Sequence, residues 1–110
     1  MKFSQRDIVE INFYFPNGDS KPHPAIVVSN DELFETEGFF YFVLISSKDY
    51  NRQYCYDLTD DMTTMQLLKK SFVKCHLIVG DTDKVIIKKL GKIKKQYFDE
   101  VVAKIFNSIF

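Results

Sequence analysis

The 110-residue chain carries fifteen basic and fifteen acidic side chains, and 45% of its residues are hydrophobic, 15% aromatic and 27% charged. That composition excludes a disordered chain, which lacks the apolar area to offset its conformational entropy, and a net charge of zero excludes nucleic-acid binding driven by bulk charge alone. The length predicts a single domain over residues 1–110, enough to bury roughly two thirds of its unfolded surface. Charge is uneven along the chain: residues 1–65 hold five basic against eleven acidic side chains, net −6, and residues 66–110 hold ten lysines against four acidic, net +6. A local basic face therefore stays open to phosphate contacts.

Asp7 to Phe15 alternates apolar and polar residues and predicts a half-buried strand. Pro16-Asn17-Gly18-Asp19-Ser20 ends it with residues that favour a turn, and Lys21-Pro22-His23-Pro24 predicts a stiff loop, because residues before proline avoid the helical region. Ala25 to Ser29 is a continuous apolar run suited to a buried strand, and Asn30-Asp31-Glu32 opens a short helical turn before Gly38. Phe39 to Ser47 is the strongest strand, aromatic and β-branched, and should be central.

Tyr50-Asn51-Arg52 reads as a turn and Gln53 to Leu58 as a strand. After the polar link Thr59 to Met62, Ser71 to Val79 is again strand-like, and a period of two places Phe72, Lys74, His76 and Ile78 on one face. Gly80 to Asp83 is a turn, and Lys84 to Ile87 a short strand. From about Lys94, Phe98, Val102, Ile105 and Ile109 recur at helical spacing with Tyr97, Val101 and Phe106, predicting an amphipathic helix that packs on the core. The fold class expected is mainly β with a C-terminal helix, a small antiparallel barrel.

No apolar run has signal-peptide or membrane-spanning length, which predicts a cytoplasmic protein with no membrane partner. Cys55 and Cys75 lack CxxC spacing and read as small buried thiols.

Five segments in order carry a resemblance to the MazF/PemK family of toxin ribonucleases. Arg6-Asp7-Ile8-Val9-Glu10-Ile11-Asn12-Phe13 resembles that family's R-G-D-I-V opening with the glycine missing, and Lys21 to Asn30 resembles its K-x-R-P-a-l-V-v-s-N segment, with His23 in the place of the arginine. Phe42 to Ser47 resembles the strand that ends in Thr or Ser. Ser71 to Ile78 is similar to S-x-v-r-c-d-x-i, and Leu90 to Ile93 to the segment before the final helix. The resemblance implies an SH3-like barrel of the CcdB/PemK type and metal-independent cleavage of single-stranded RNA, with no cofactor. It also implies a homodimer and inhibition by a cognate antitoxin protein.

Cleavage of RNA at its own 2′-hydroxyl needs a base, an acid, and cations or donors for the crowded phosphorane. Carried over by position, the catalytic candidates are His23, Ser46, Lys74 and His76. The two histidines are the residues suited to exchange protons near neutrality, with Lys74 as the phosphate cation and Ser46 as a donor. Lys21, Lys48, Arg52, Lys69 and Lys70 are candidates for phosphate contact, and Tyr50 for stacking on an unpaired base. Phe13, Tyr14, Phe15, Tyr54 and Tyr56 are further stacking candidates for which core packing is the commoner fate. The alternative is a noncatalytic member that binds RNA or peptide, since a histidine at position 23 lacks the fixed charge of an arginine.

Overall fold

In the computed structural model, which describes residues 2–110, six strands form one antiparallel sheet in the order β4-β5-β3-β2-β1-β6, followed by the C-terminal helix. The strands are β1 (Asp7–Tyr14), β2 (Ser20–Val27), β3 (Phe40–Ser46), β4 (Cys55–Leu58), β5 (Ser71–Asp81) and β6 (Ile86–Lys92), and the helices α1 (Asp31–Glu37) and α2 (Lys95–Ile109). The fold class is the expected one, and β3 is central as its composition required.

Alternation along the strands builds a core on each face. Ile8, Ile26, Val43, Ile45 and Val73 form one with Phe98 and Val101 of α2. Val9, Ile11, Ala25, Val27, Phe40, Phe42 and Leu44 form the other, where Phe34 of α1 stacks on Phe40 at 4.3 Å. Helix α1 begins because the Asn30 side chain accepts from the Leu33 amide at 2.9 Å, and it stops at Gly38, whose φ of 78° a side chain would disfavour. Tyr56 donates to Glu100 at 2.6 Å and so ties β4 to α2, and burial, then that bond, pushes the phenol pKa up.

The sheet rolls up without pairing β4 to β6. The segment after β4 bridges instead to the end of β6 through Thr63 and Ile93, with Thr64 N donating to Lys92 O at 2.9 Å and Lys94 N to Met62 O at 2.8 Å.

Several local readings change, among them the expected turn Gly80–Asp83, which is strand as far as Asp81, and the expected short strand Lys84–Ile87, which lies at Ile86–Lys92. The expected loop Lys21–Pro24 is strand, paired to β1 from Ser20 to Ile26. Prolines are tolerated there because β2 meets β3 only from Ala25 to Val27, so Pro22 and Pro24 lie beyond the ladder in which an N–H would be needed. The common face of Phe72, Lys74, His76 and Ile78 breaks at an irregularity in β5, where Val43 pairs with Ile78 and its neighbour Leu44 with Lys74. Ile78 packs against the α2-side core while Val79 joins the opposite one. On α2 only Phe98 and Val101 are fully buried. Val102 is 41% exposed, and Phe106 and Ile109 are exposed with it, so half the expected apolar stripe faces outward.

Candidate functional site

Between the prolines of β2 and the end of β3 the two strands part, since the ladder joining them stops at Ala25 and Leu44. The cleft holds about 340 Å³ and is walled by Lys21, Pro22, His23 and Pro24 on one side, and by Ile45, Ser46, Ser47, Lys48, Lys69 and Ser71 on the other. Two distant parts of the sequence thus meet, Lys21 and His23 from one and Ser46 and Lys48 from the other, joined by Lys69. Ser71 was not anticipated. It enters because Ser46 pairs with Phe72, a register the sequence does not specify.

His23 is half-buried, and its Nδ1 donates to the carbonyl of Pro24 at 3.2 Å while its ring sits edge-on to Phe13. That bond assigns the proton to Nδ1 in the neutral ring and leaves Nε2 as the free lone pair. The Ser46 oxygen accepts from the Lys48 amide at 3.0 Å, so its hydroxyl hydrogen remains available to donate. Lys21, Lys48 and Lys69 are exposed, and among the described residues none of the three forms an ion pair.

The remaining candidates stand elsewhere. Lys74 does not line the cleft; it is 7% exposed and its ammonium donates to Tyr50 O at 2.6 Å, Lys48 O at 3.2 Å and Cys55 Sγ at 3.4 Å. Three protons meet three acceptors, which makes it a clamp on the segment from Lys48 to Cys55 in place of the free cation expected. Arg52 is paired with Asp49 at 3.2 Å and Asp57 at 3.8 Å, and its guanidinium and the Lys70 ammonium both lie over the Phe72 ring. Tyr50 is 69% exposed, as a stacking residue needs, but outside the cleft wall.

His76 faces a second cavity of about 320 Å³ that shares His23 with the first. Its ring stacks on Tyr54 at 4.4 Å, and burial, then the nearby Lys74 charge, lowers its pKa from the ordinary imidazole value. That direction favours the uncharged imidazole at neutral pH. Among the described residues no three His, Cys, Asp or Glu side chains are grouped to hold a metal, and no helix is long and apolar enough to cross a membrane.

A mainly β sheet rolled under a C-terminal helix, with a basic cleft beside the proline-bearing strand β2, defines the class as a small, mainly β domain closed by one helix. The model of the PemK-like, MazF-like toxins of type II toxin–antitoxin systems matches residues 4–109, and the chain belongs to that family. No curated protein sequence matches it. Among solved structures it is similar to MazF from Deinococcus radiodurans, with a TM-score of 0.77 and 14% identity over 98% of this chain and 96% of that one. It is similar also to an endoribonuclease in complex with its cognate antitoxin from a mycobacterial species, with a TM-score of 0.78 and 9% identity over 96% and 93%. Toxin MazF-mt6 of Mycobacterium tuberculosis superposes with a TM-score of 0.74 and 13% identity over 94% and 95%. At these identities the likeness is one of fold.

Proposed function

We propose that the chain is the toxin of a toxin–antitoxin pair and cleaves single-stranded RNA in the cytoplasm by attack of the RNA's own 2′-hydroxyl. The observation that carries this reading is the free Nε2 of His23 in a cleft with three unpaired ammonium groups. Nε2 takes the 2′-hydroxyl proton as the 2′-oxygen bonds to phosphorus. The bond to the 5′-oxygen breaks, and that oxygen takes a proton from the Lys48 or Lys69 ammonium. Lys21 and the Ser46 hydroxyl stabilise the charge on the phosphorane, and no metal enters. His76, whose charged form burial disfavours, is a poor source of the leaving group's proton. The apolar side chains that α2 leaves exposed support association with a second copy or a cognate antitoxin, as the mycobacterial endoribonuclease is found with its antitoxin.

RNA of mixed sequence incubated in excess chelator should give 2′,3′-cyclic phosphate and 5′-hydroxyl ends, and His23→Ala should lower the rate by ~10²–10⁴. Intact RNA after incubation with folded protein overturns the reading.

The burial of Lys74 and the pairing of Arg52 favour one second reading, a noncatalytic RNA- or peptide-binding member. In that case the wild type binds without cutting, and His23→Arg, which restores a fixed charge, gains cleavage.

A further inference from the structure

The opening between β4 and β6 is spanned by a strap, residues 62–69, that crosses the end of β6 and runs on to the basic cleft. Thr63 is buried and bridges Ile93. Thr64 makes the bonds that a strand would make: its amide donates to Lys92 O at 2.9 Å, and its side-chain oxygen accepts from the Lys92 amide at 3.0 Å in place of a partner carbonyl. The Thr63 hydroxyl donates to Met65 O at 2.7 Å, and the Asp60 carboxylate accepts from the Leu67 amide at 2.7 Å. The chain is thus tied at two points before it reaches Lys69.

Gly91 is what lets the strap lie there. Its backbone is not in the left-handed region that holds Gly18 and Gly38, so the path of the chain does not call for a glycine. Space does. A Cβ on Gly91 would stand 2.9 Å from Met65 Cβ, 3.1 Å from Met65 Cγ and 3.2 Å from Thr64 Oγ1. Carbon atoms in contact keep about 3.5–4.0 Å, so either the strand or the strap has to give way. β6 is laddered to β1 through Asp7–Lys92 and Ile8–Gly91, whereas the strap holds to β6 by a single bridge and the bonds around it. The strap is the part that gives.

We infer that Gly91 is a positioning residue of the cleft: by admitting the strap against β6 it sets where the Lys69 ammonium stands relative to His23. The inference rests on the reading of the cleft as an RNA site and adds what fixes one of its cations. Of the three cleft lysines, Lys69 alone is carried by the strap, Lys21 lying on β2 and Lys48 just after β3. Its side chain walls both the cleft and the groove of about 470 Å³ beneath the strap, so a strap that rises from that groove takes Lys69 with it. Gly91→Ala lifts residues 64 and 65, breaks the Thr64 bonds to Lys92 and carries Lys69 outward, while His23 and Ser46 stay on their strands. A shift of about 1 Å in a group that touches the reacting phosphate costs up to ~100-fold in rate.

The test uses the intact protein and a 2′-O-methyl RNA strand, which cannot be cut, with affinity followed from ~50 to ~200 mM salt. Each phosphate contact to a single strand contributes ~0.7 to the slope of log affinity against log salt. Lys69→Gln should lower that slope by ~0.7, Gly91→Ala should lower it equally, and the two together should lower it no further. Cleavage of ordinary RNA should follow the same pattern: Gly91→Ala slows it ~10-fold or more in the wild-type background and less than ~2-fold in Lys69→Gln. Lost stability alone reduces the folded fraction and leaves the slope of the folded protein where it was. Should Gly91→Ala not fold, Thr64→Val, which removes the oxygen that the Lys92 amide bonds, carries the same expectation. A wild-type slope in the folded strap variant, or in Lys69→Gln, overturns the positioning role and leaves the cleft standing. No binding by the wild type at any salt overturns both.

Discussion

The Lys74 ammonium donates to the carbonyl oxygen of Tyr50 across 2.6 Å, from a strand in the middle of the sheet to a loop beyond its edge. That contact holds the backbone on which Lys48 is displayed, so a residue outside the cleft sets the geometry of one inside it. Replacing Lys74 with Met keeps the apolar stem but takes the ammonium from the Lys48 and Tyr50 carbonyls, leaving the Tyr50 oxygen only the weak Cys55 thiol donor at 3.6 Å. Unfolding by urea should show a loss of ~1–3 kcal/mol, the cost of buried groups left without partners. Unchanged stability would mean that solvent reaches these carbonyls.

Arg6, the residue that leads into β1, adopts a φ of 78°. A side chain in this region costs about 1–2 kcal/mol, and Arg6 offsets part of it by donating to Ile93 O at 3.2 Å. Arg6→Gly and Arg6→Ala both lose that bond, so their difference isolates the backbone. Denaturation midpoints should place the glycine variant above the alanine variant by about 1 kcal/mol.

Asp7 is fully buried and accepts from the Ser4 amide at 2.9 Å, with Lys89 at 3.1 Å and Lys92 at 3.3 Å. These contacts fasten β1 to β6 at the edge where the sheet curls. Asp7→Ala should cost ~3 kcal/mol in the same unfolding measurement, because two ammonium groups and an amide lose their acceptor together.

His76 titrates lower in the folded chain than its ordinary 6.5, through burial first and the Lys74 charge second. The unfolded chain then binds the proton more readily, so this histidine's contribution to stability is present above pH ~6.5 and is lost as pH falls from there toward its folded value. Stability measured from pH 7.5 to 5 should fall more steeply in the wild type than in His76→Phe, which has no proton to bind. Parallel curves would remove His76 from the pH dependence.

Burial pushes the Cys75 thiol up to about 11, and Cys55, on the neighbouring strand β4, is buried too. The thiolate is the reactive form, which Cys75 resists, and Cys55 is screened by its burial, so neither cysteine should be alkylated by iodoacetamide in the native protein at pH 7.5 within the time that fully labels the unfolded chain. Mass spectrometry of the two samples reads the difference.

Alternation and spacing alone give β1, β3, β4 and most of β5, the helix α1 between Asn30 and Gly38, and the helix after Lys94, because each rests on local periodicity or a cap within a few residues. His23 and Ser46 were likewise legible as neighbours, through the order of segments that resemble the family. The strand character of Lys21–Pro24 was not, since what tolerates Pro22 and Pro24 is the absence of a β3 partner on that side, a fact of pairing.

The sequence by itself determined the fold class, mainly β with a C-terminal helix, and marked the two histidines as candidates for proton exchange. Tertiary structure alone decided what each cation does. An ammonium takes its role from the groups that surround it, and the register of β5 buried Lys74 against backbone carbonyls while the parting of β2 and β3 left Lys21, Lys48 and Lys69 unpaired around His23. The irregularity in β5 likewise set His76 against Tyr54 in an apolar cavity, because strand parity is local and a bulge resets it.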